Sequence, residues 1–209
     1  MYRILCFGDS NTWGYNPANG LRFSVNERWP GVLRDNLGAG FEIIEDGMNG
    51  RRILEDIEVF ESSLNSNSPL DVIIIYLGVN DICFEKDIKL SEILDGARAY
   101  VEKVKDQYRD LGDAAPELVF IGAVPVNEEQ INDGLYDIEA GKVLRFSEEL
   151  RALSEKLGCG FIESGRIIES SSLDGIHLEA GEHQKLGAFV ADYVRSFLKN
   201  SSLNNMKNY

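Results

Sequence analysis

The sequence has few residues that suit metal binding and no clear disulfide pairing. It contains three cysteines, Cys6, Cys83 and Cys159, and two histidines, His177 and His183. An odd number of cysteines without close spacing is untypical of a disulfide framework or a zinc site, and Cys6 and Cys159 stand in or beside apolar runs that are typical of core residues. We therefore expect neither a metal ion nor another cofactor.

Long apolar runs and positive charge are also scarce. No stretch approaches the roughly 20 apolar residues that a membrane-spanning helix needs, and the first residues lack the pattern of a secretory signal. Lysine and arginine total 21 against 35 acidic residues, which gives a formal net charge of −14. Because a negative field repels nucleic acids and anionic lipid surfaces, we expect neither as a partner. The sequence predicts a soluble cytoplasmic protein.

Apolar segments typical of strands alternate with segments of helical spacing throughout the chain, and this alternation predicts parallel βαβ units. The predicted strands cover 2–7, 41–45, 71–77, 118–123 and 160–162, and the predicted helices cover 29–37, 51–64, 91–110, 141–157 and 174–199. No internal repeat or linker interrupts the pattern. We expect one domain over residues 1–199, followed by a polar tail, 200–209, that frays.

Short polar segments follow the predicted strands at their carboxyl ends. Residues 9–10 follow the first strand, 49–50 the second and 78–81 the third, and 174–177 come after the last strand and a connecting segment. A parallel sheet brings the carboxyl ends of its strands to one edge, where open α/β sheets bind their ligands. We therefore expect these segments to meet in space although they are far apart in sequence.

Ser10, His177 and Asp174 have the side chains that nucleophilic catalysis by serine needs. A serine hydroxyl is a weak nucleophile, so it requires a base within hydrogen-bond reach and a third group that orients the base. His177 stands near the predicted edge, whereas His183 lies further along the predicted terminal helix and is expected on the surface. Asp174 precedes His177 by three residues and can hold the imidazole tautomer. The alternative is that Asp9, Ser10 and Asp174 serve only to cap helices.

Acyl transfer also requires hydrogen-bond donors for the negative charge that develops on the carbonyl oxygen. Asn80 can offer its side-chain amide, and the N–H of Gly50 can approach a substrate closely because glycine has no side chain. The N–H of Ser10 is a third candidate donor. The alternatives are an ordinary turn at Asn80 and an ordinary hinge at Gly50.

The four segments, read together, resemble the SGNH-hydrolase superfamily, also called GDSL-type esterases and lipases. They read Gly8-Asp9-Ser10-Asn11-Thr12-Trp13-Gly14, Gly47-Met48-Asn49-Gly50-Arg51, Gly78-Val79-Asn80-Asp81 and Asp174-Gly175-Ile176-His177-Leu178, in the superfamily's order. Asn11 stands where the superfamily's name has leucine, and Val79 stands where threonine is frequent. These departures argue against a lipid substrate, and the first segment is most similar to the bacterial arylesterase and acyltransferase branch.

The resemblance implies a three-layer α/β/α, flavodoxin-like fold with a five-stranded parallel sheet. It also implies Ser10 as nucleophile, His177 as base, Asp174 as its orienting partner, and Gly50 and Asn80 as oxyanion donors beside Ser10. The substrate would be a small acyl ester, such as an O-acetyl group on a sugar, with water or an alcohol as acceptor. Some members of the branch are oligomers, so a homo-oligomer is within the expectation.

Specificity is the part of the function that the sequence leaves open. The candidates for the substrate pocket are Asp9, Asn11, Trp13, Tyr15, Trp29, Phe84 and the polar segment 124–140, although Trp13 and Trp29 are equally typical of core residues. Three rival functions are a thioesterase or lysophospholipase with the same catalytic residues, a non-catalytic α/β binding domain, and a flavodoxin-like nucleotide binder. A glycine-rich phosphate loop of recognised spacing, which the last would need, is not found in the sequence.

Overall fold

A five-stranded parallel sheet forms the centre of the protein. The computed structural model describes residues 1–85, 87–110, 115–131 and 138–207, of which 199–207 are described by their backbone alone. The strands are β1 (Tyr2–Gly8), β2 (Phe41–Gly47), β3 (Val72–Tyr76), β4 (Glu117–Ile121) and β5 (Gly160–Ile162). Their order is β2-β1-β3-β4-β5, and all pairings are parallel. The predicted fold class and sheet are therefore confirmed.

Helices connect the strands and cover the sheet. The helices are α1 (Ser10–Trp13), α2 (Trp29–Leu37), α3 (Ile57–Asn67), α4 (Val79–Phe84), α5 (Leu90–Gln107), α6 (Ala140–Leu157) and α7 (Ala180–Lys207). Short 3₁₀ turns lie at Glu128–Gln130 and Ser164–Arg166. Both α1 and α4 begin within three residues of the end of a strand, so each places its first residues at the carboxyl edge of the sheet.

The side chains of the central strands alternate between two apolar cores, as the period of a strand requires. In β3, Ile73 and Ile75 belong to the core that includes residues of α3, α5 and α6. Val72 and Ile74 belong to the core that includes residues of α2 and α7. The sheet is thus buried on both faces, which explains why its strands read as continuous apolar runs rather than as alternating patterns.

The prediction of a helix from Arg51 is wrong for its first residues, because α3 begins at Ile57. The carboxylate of Asp81 accepts hydrogen bonds from the backbone N–H groups of Ile53 and Leu54 at 2.9 and 3.1 Å. These N–H groups are held by a side chain from another element, so a tertiary contact fixes residues 51–56 in an irregular conformation that local helical spacing does not reveal.

The terminal helix also differs from its predicted limits. It begins at Ala180 rather than at Asp174, whose carboxylate instead holds the backbone of a turn. It continues to Lys207, beyond the predicted end at residue 199, and neither glycine nor proline occurs between 200 and 207 to stop it. Within the described ranges, no helix is both long and apolar enough to cross a membrane.

The prediction that His183 lies on the surface is wrong. Its side chain is fully buried on α7, where Nδ1 accepts a hydrogen bond from the backbone N–H of Trp29 at 3.3 Å. Phe23 makes an edge contact with the ring. Burial lowers the pKa of His183 to about 3, so the imidazole is neutral at physiological pH. This histidine joins α2 to α7, a role that its position in the sequence does not indicate.

Candidate active site

Ser10 lies at the first residue of α1, just beyond the carboxyl end of β1. Asp9 caps this helix, because its Oδ1 accepts a hydrogen bond from the N–H of Asn11 at 2.9 Å. The capping interpretation of Asp9 is therefore correct, but it does not account for Ser10. The hydroxyl of Ser10 points toward a residue that is distant in sequence, His177.

A chain of hydrogen bonds joins the three residues that were predicted to act together. Nε2 of His177 lies 3.0 Å from Oγ of Ser10, and Nδ1 lies 2.7 Å from Oδ2 of Asp174. These distances are within hydrogen-bond range. When the proton of the neutral ring is on Nδ1, Nε2 is free to accept the proton of the serine hydroxyl.

Asp174 is held in place by the backbone of its own turn. Its Oδ1 accepts hydrogen bonds from the N–H groups of Ile176 and His177, both at 3.0 Å. Burial by itself would raise the pKa of Asp174, but the hydrogen bonds from the His177 ring and from the two N–H groups lower it below the usual value. The carboxylate is consequently ionised and fixed in orientation at neutral pH.

The side chain of Asn11 connects the serine helix to the histidine turn. Its Oδ1 accepts a hydrogen bond from the N–H of Leu178 at 3.1 Å, and the side chain is buried. Because Asn11 is next to Ser10 and Leu178 is next to His177, this bond ties the backbone at Ser10 to the backbone at His177. A contact of this kind is not readable from sequence spacing.

Gly50 and Asn80 meet Ser10 and His177 around one small cavity of about 120 Å³. The residues that line it are Ser10, Tyr15, Asn49, Gly50, Asn80, Phe84 and His177. Gly50 has a φ of +76°, a conformation that favours glycine, and nothing lies within 4 Å of the position that a Cβ would take. The four predicted segments therefore converge, and the cavity has room beside them for a small acyl group.

The pocket candidates from the sequence divide into two groups. Tyr15 and Phe84 line the cavity, and the Tyr15 ring packs against the His177 ring with centroids 4.2 Å apart. Trp29 is a fully buried core residue, and Trp13 contacts the guanidinium of Arg22.

Asp9, Asn11 and Trp13, the residues first assigned to the pocket, do not line the cavity. Asp9 and Asn11 are buried and make the hydrogen bonds described above, and the Trp13 ring lies under the guanidinium of Arg22. The predicted pocket segment 124–140 includes residues 132–137, which lie outside the described residues; its described residues do not line the cavity either.

Asp9 is a buried carboxyl group next to Ser10. Burial raises its pKa to about 6, although the N–H of Asn11 and the nearby charges of His177 and Arg51 act in the opposite direction. The group is therefore largely ionised at neutral pH and takes up a proton in mildly acidic solution.

Side chains that could bind a metal ion are not grouped in the described part of the chain. Among the residues that the structure describes, no group of three or more histidine, cysteine, aspartate or glutamate side chains is placed to hold a metal ion.

Comparison with known families points to the same segments. The sequence profile of the GDSL-like lipase/acylhydrolase family matches residues 6–185, which include all four of them. A comparison with curated protein sequences finds no match.

Several solved structures are similar over nearly the whole chain. An aryl esterase from M. smegmatis is 30% identical with a TM-score of 0.86, and the match covers 94% of this chain and 99% of the esterase. A carbohydrate acetylesterase from Sinorhizobium meliloti is 30% identical with a TM-score of 0.83, covering 94% of this chain and 100% of that one. A second carbohydrate acetylesterase family member from the same organism is 27% identical with a TM-score of 0.87, covering 95% and 100%.

Proposed function

The chain belongs to the GDSL-like lipase/acylhydrolase family, and we propose that this serine hydrolase cleaves small acyl esters with Ser10 as its nucleophile. The observation that carries the proposal is the hydrogen-bonded chain from Asp174 through His177 to Ser10, with contacts of 2.7 and 3.0 Å. A binding domain would have no need for a nucleophile, a base and an orienting carboxylate in this arrangement.

The proposed reaction proceeds through an acyl-enzyme. Oγ of Ser10 attacks the ester carbonyl while Nε2 of His177 takes the hydroxyl proton, and Asp174 stabilises the imidazolium that forms. His177 then gives this proton to the departing alcohol. Water, or an alcohol in a transfer reaction, gives up a proton to His177 as it attacks the carbonyl carbon of the acyl-enzyme. His177 returns this proton to Oγ of Ser10 as the bond between Oγ and the acyl group breaks, which regenerates the free enzyme.

Three donors are proposed for the oxyanion of the tetrahedral intermediate. They are the N–H groups of Ser10 and Gly50 and the side-chain amide of Asn80, all of which belong to residues that line the cavity. Donors that are fixed before the reaction stabilise the developing charge without having to reorganise. The positive φ of Gly50 and the contact of Asn80 with the neighbouring loop supply this fixed geometry.

We propose acetyl esters of sugars or aryl alcohols as the substrate class. The cavity of about 120 Å³ is smaller than the roughly 300 Å³ at which sites for drug-sized ligands begin, so it suits a short acyl group better than a fatty acyl chain. The similar structures named as an aryl esterase and as carbohydrate acetylesterases support the same class.

We also propose that the protein acts in the cytoplasm, because its cysteines are unpaired. Cys6, Cys83 and Cys159 are all unpaired, which agrees with a reducing compartment. Cys6 and Cys83 are buried, and burial raises the pKa of each thiol, so neither is prone to react.

The test is a panel of p-nitrophenyl acetate, butyrate and octanoate together with a peracetylated sugar and acetyl-CoA. We expect the acetate to be cleaved faster than the octanoate, the sugar to release acetate, and Ser10→Ala to abolish turnover while the circular dichroism spectrum stays unchanged. Undiminished turnover by Ser10→Ala would refute the nucleophile. Octanoate cleavage as fast as acetate cleavage would refute the proposed acyl size, and faster release of free thiol from acetyl-CoA would favour a thioesterase.

A further inference from the structure

Arg51, the residue after Gly50, is a buried cation that the proposed reaction does not use. Its side chain is only 3% exposed, although it lies beside a cleft open to solvent. Burying a guanidinium is costly unless its N–H groups are hydrogen-bonded and its charge is paired. The partners of Arg51 therefore indicate what its burial achieves.

The guanidinium joins the carboxyl ends of β1 and β2. Nη1 donates to the carbonyl oxygen of Gly8 at 3.1 Å and also to the carbonyl oxygen of Asp46. Nη2 donates to Oδ1 of Asp46 at 2.9 Å. The Cζ atom lies 4.0 Å from the centre of the Phe7 ring. One planar group thus holds the end of the strand that leads to Ser10 and the end of the strand that leads to Gly50.

The backbone of Arg51 makes the remaining two connections of the site. Its N–H donates to the carbonyl oxygen of Met48 at 3.3 Å, which closes the turn that contains Gly50 at its third position. Its carbonyl oxygen accepts a hydrogen bond from Nδ2 of Asn80 at 3.1 Å. Since an amide NH₂ group has two protons, this bond orients Asn80 and leaves the second proton for the cavity.

We infer that Arg51 is a positioning residue that fixes the Gly50 N–H and the Asn80 amide relative to Ser10. The inference rests on the proposed function, because it concerns the donors of the proposed oxyanion site. Arg51 is hydrogen-bonded to all three elements that carry the reacting groups. These are the turn that contains Gly50, the helix α4 that contains Asn80, and the end of β1 that leads to Ser10. Displacement of a catalytic group by about 1 Å costs on the order of 10²-fold in rate, so such a connection has a measurable effect.

The shape of the guanidinium is essential to this role, beyond its charge. The two carbonyl oxygens and the Asp46 carboxylate lie around a planar fork, and Oδ2 of Asp46 is itself held by the hydroxyl of Ser63 on α3. A lysine ammonium would keep the positive charge but could not reproduce the planar fork of donors. Arg51→Lys is therefore expected to behave like a loss of the residue rather than like a conservative change.

The first experiment measures kcat and KM for p-nitrophenyl acetate in Arg51→Met, Arg51→Lys and the matched control Arg52→Met. Arg52 is the adjacent residue, and its ion pairs are with Glu55 and Glu85 rather than with the ends of β1 and β2. Rates are divided by the fraction of active enzyme, which is titrated with a p-nitrophenyl phosphonate. We expect both Arg51 variants to lower kcat by about 10- to 100-fold with KM changed by less than about threefold. Arg52→Met should lower kcat less than about twofold, in keeping with the small worth of exposed ion pairs.

The second experiment is a double-mutant cycle with Asn80→Ala. It measures the coupling in kcat between the two substitutions, which would be absent if Arg51 had a merely structural role. If Arg51 acts through the oxyanion donors, Arg51→Met should lower kcat less in the Asn80→Ala background than in the wild type. Equal losses in both backgrounds, or an Arg51→Met kcat equal to that of Arg52→Met, would overturn the inference.

Two further comparisons keep the test decisive. If Arg51→Met does not fold, Asp46→Asn removes the charge that pairs with Arg51 while retaining its shape, and the same coupling to Asn80→Ala is expected. If Asp46→Asn and Asn80→Ala lower kcat independently, the inference fails. A wild-type enzyme that cleaves none of the esters would instead refute the proposed function, so the two failures are distinguishable.

Discussion

At the scale of single residues, Asp174 does two things with one carboxylate. Oδ1 holds the backbone N–H groups of its turn, and Oδ2 holds the His177 ring. The turn and the ring of the proposed base are therefore held by the same side chain, which explains why Asp174 and His177 need be only three residues apart. The lowered pKa of Asp174 keeps the carboxylate ionised into the acidic range.

Asp174→Asn should preserve the turn and disable the base. The amide oxygen can still accept from the backbone, but the amide can no longer stabilise the imidazolium and can favour the wrong ring tautomer. We expect kcat for p-nitrophenyl acetate to fall by about 10³- to 10⁴-fold, as in other serine hydrolases that lose this carboxylate, while the melting temperature changes little.

Asp56→Asn is the matched control for this substitution, because Oδ2 of Asp56 also accepts a backbone hydrogen bond, from Arg52 at 2.9 Å, but does not touch the histidine. Its kcat should stay near that of the wild type. Equal activity of the two variants would contradict the assigned role of Asp174.

At the scale of elements, the short helix α1 is positioned by its close approach to the end of β2. A Cβ on Gly47 would lie 2.2 Å from the backbone nitrogen of Trp13 and 2.6 Å from the carbonyl carbon of Thr12. Both are backbone atoms of the helix that begins with Ser10, so no side-chain movement can relieve such a contact. The glycine at this position allows β2 and α1 to pack directly against each other.

Gly47→Ala should therefore displace α1 and with it Ser10. We expect kcat to fall by on the order of 10²-fold, because the hydroxyl moves relative to His177, and the free energy of unfolding to fall by about 1 to 3 kcal/mol, because the new methyl group overpacks the contact. Activity assays and urea unfolding measure the two effects separately.

Gly40→Ala provides the comparison, since Gly40 precedes the same strand and a Cβ there would have nothing within 4 Å. That variant should keep both activity and stability. A Gly47→Ala protein that is indistinguishable from Gly40→Ala would show that the backbone of α1 is not fixed by this contact.

The elements also show where local sequence patterns reach their limit. The buried strands and the α2 helix from Trp29 to Leu37 were predictable, because their apolar spacing is set by the cores on either side of the sheet. The helix predicted from Arg51 was not found at its start, because Asp81 takes the N–H groups of Ile53 and Leu54. Such a bond depends on a residue nearly thirty positions away, which no local window contains.

At the scale of the whole molecule, topology makes the convergence of the site predictable while leaving its fine geometry open. Parallel strands bring their carboxyl ends to one edge, so the meeting of Ser10, Gly50 and Asn80 follows from the strand pattern. The hydrogen bond between Asn11 and Leu178, the contact of the Tyr15 ring with the His177 ring and the hydrogen bonds of the Arg51 guanidinium do not follow from it. They depend on side-chain directions that only the packed structure determines.

Stability of the whole molecule should depend on pH through two buried groups with opposite effects. The pKa of His183 is lowered from 6.5 to about 3 in the folded protein, so its contribution is fully present above pH 6.5 and is lost as the pH falls toward 3. The pKa of Asp9 is raised from 3.8 to about 6, so its contribution is present below pH 3.8 and is lost as the pH rises through 6. Between these limits the two contributions offset each other in the wild type.

Removing either group should therefore reveal the pH dependence of the unfolding free energy that the other group causes. His183→Asn keeps an acceptor for the Trp29 N–H, and its deficit in unfolding free energy relative to the wild type should shrink as the pH falls from 7 to 4. Asp9→Asn keeps an acceptor for the Asn11 N–H, and its stability relative to the wild type should grow over the same range as the pH rises. The difference for His183→Asn should change by about 3 kcal/mol and that for Asp9→Asn by about 2 kcal/mol, measured by urea unfolding at several pH values. As a control, the unfolding free energy of Asp35→Asn, at an exposed position, should differ from that of the wild type by the same amount at every pH. A constant difference for either buried variant would contradict the role given to that group.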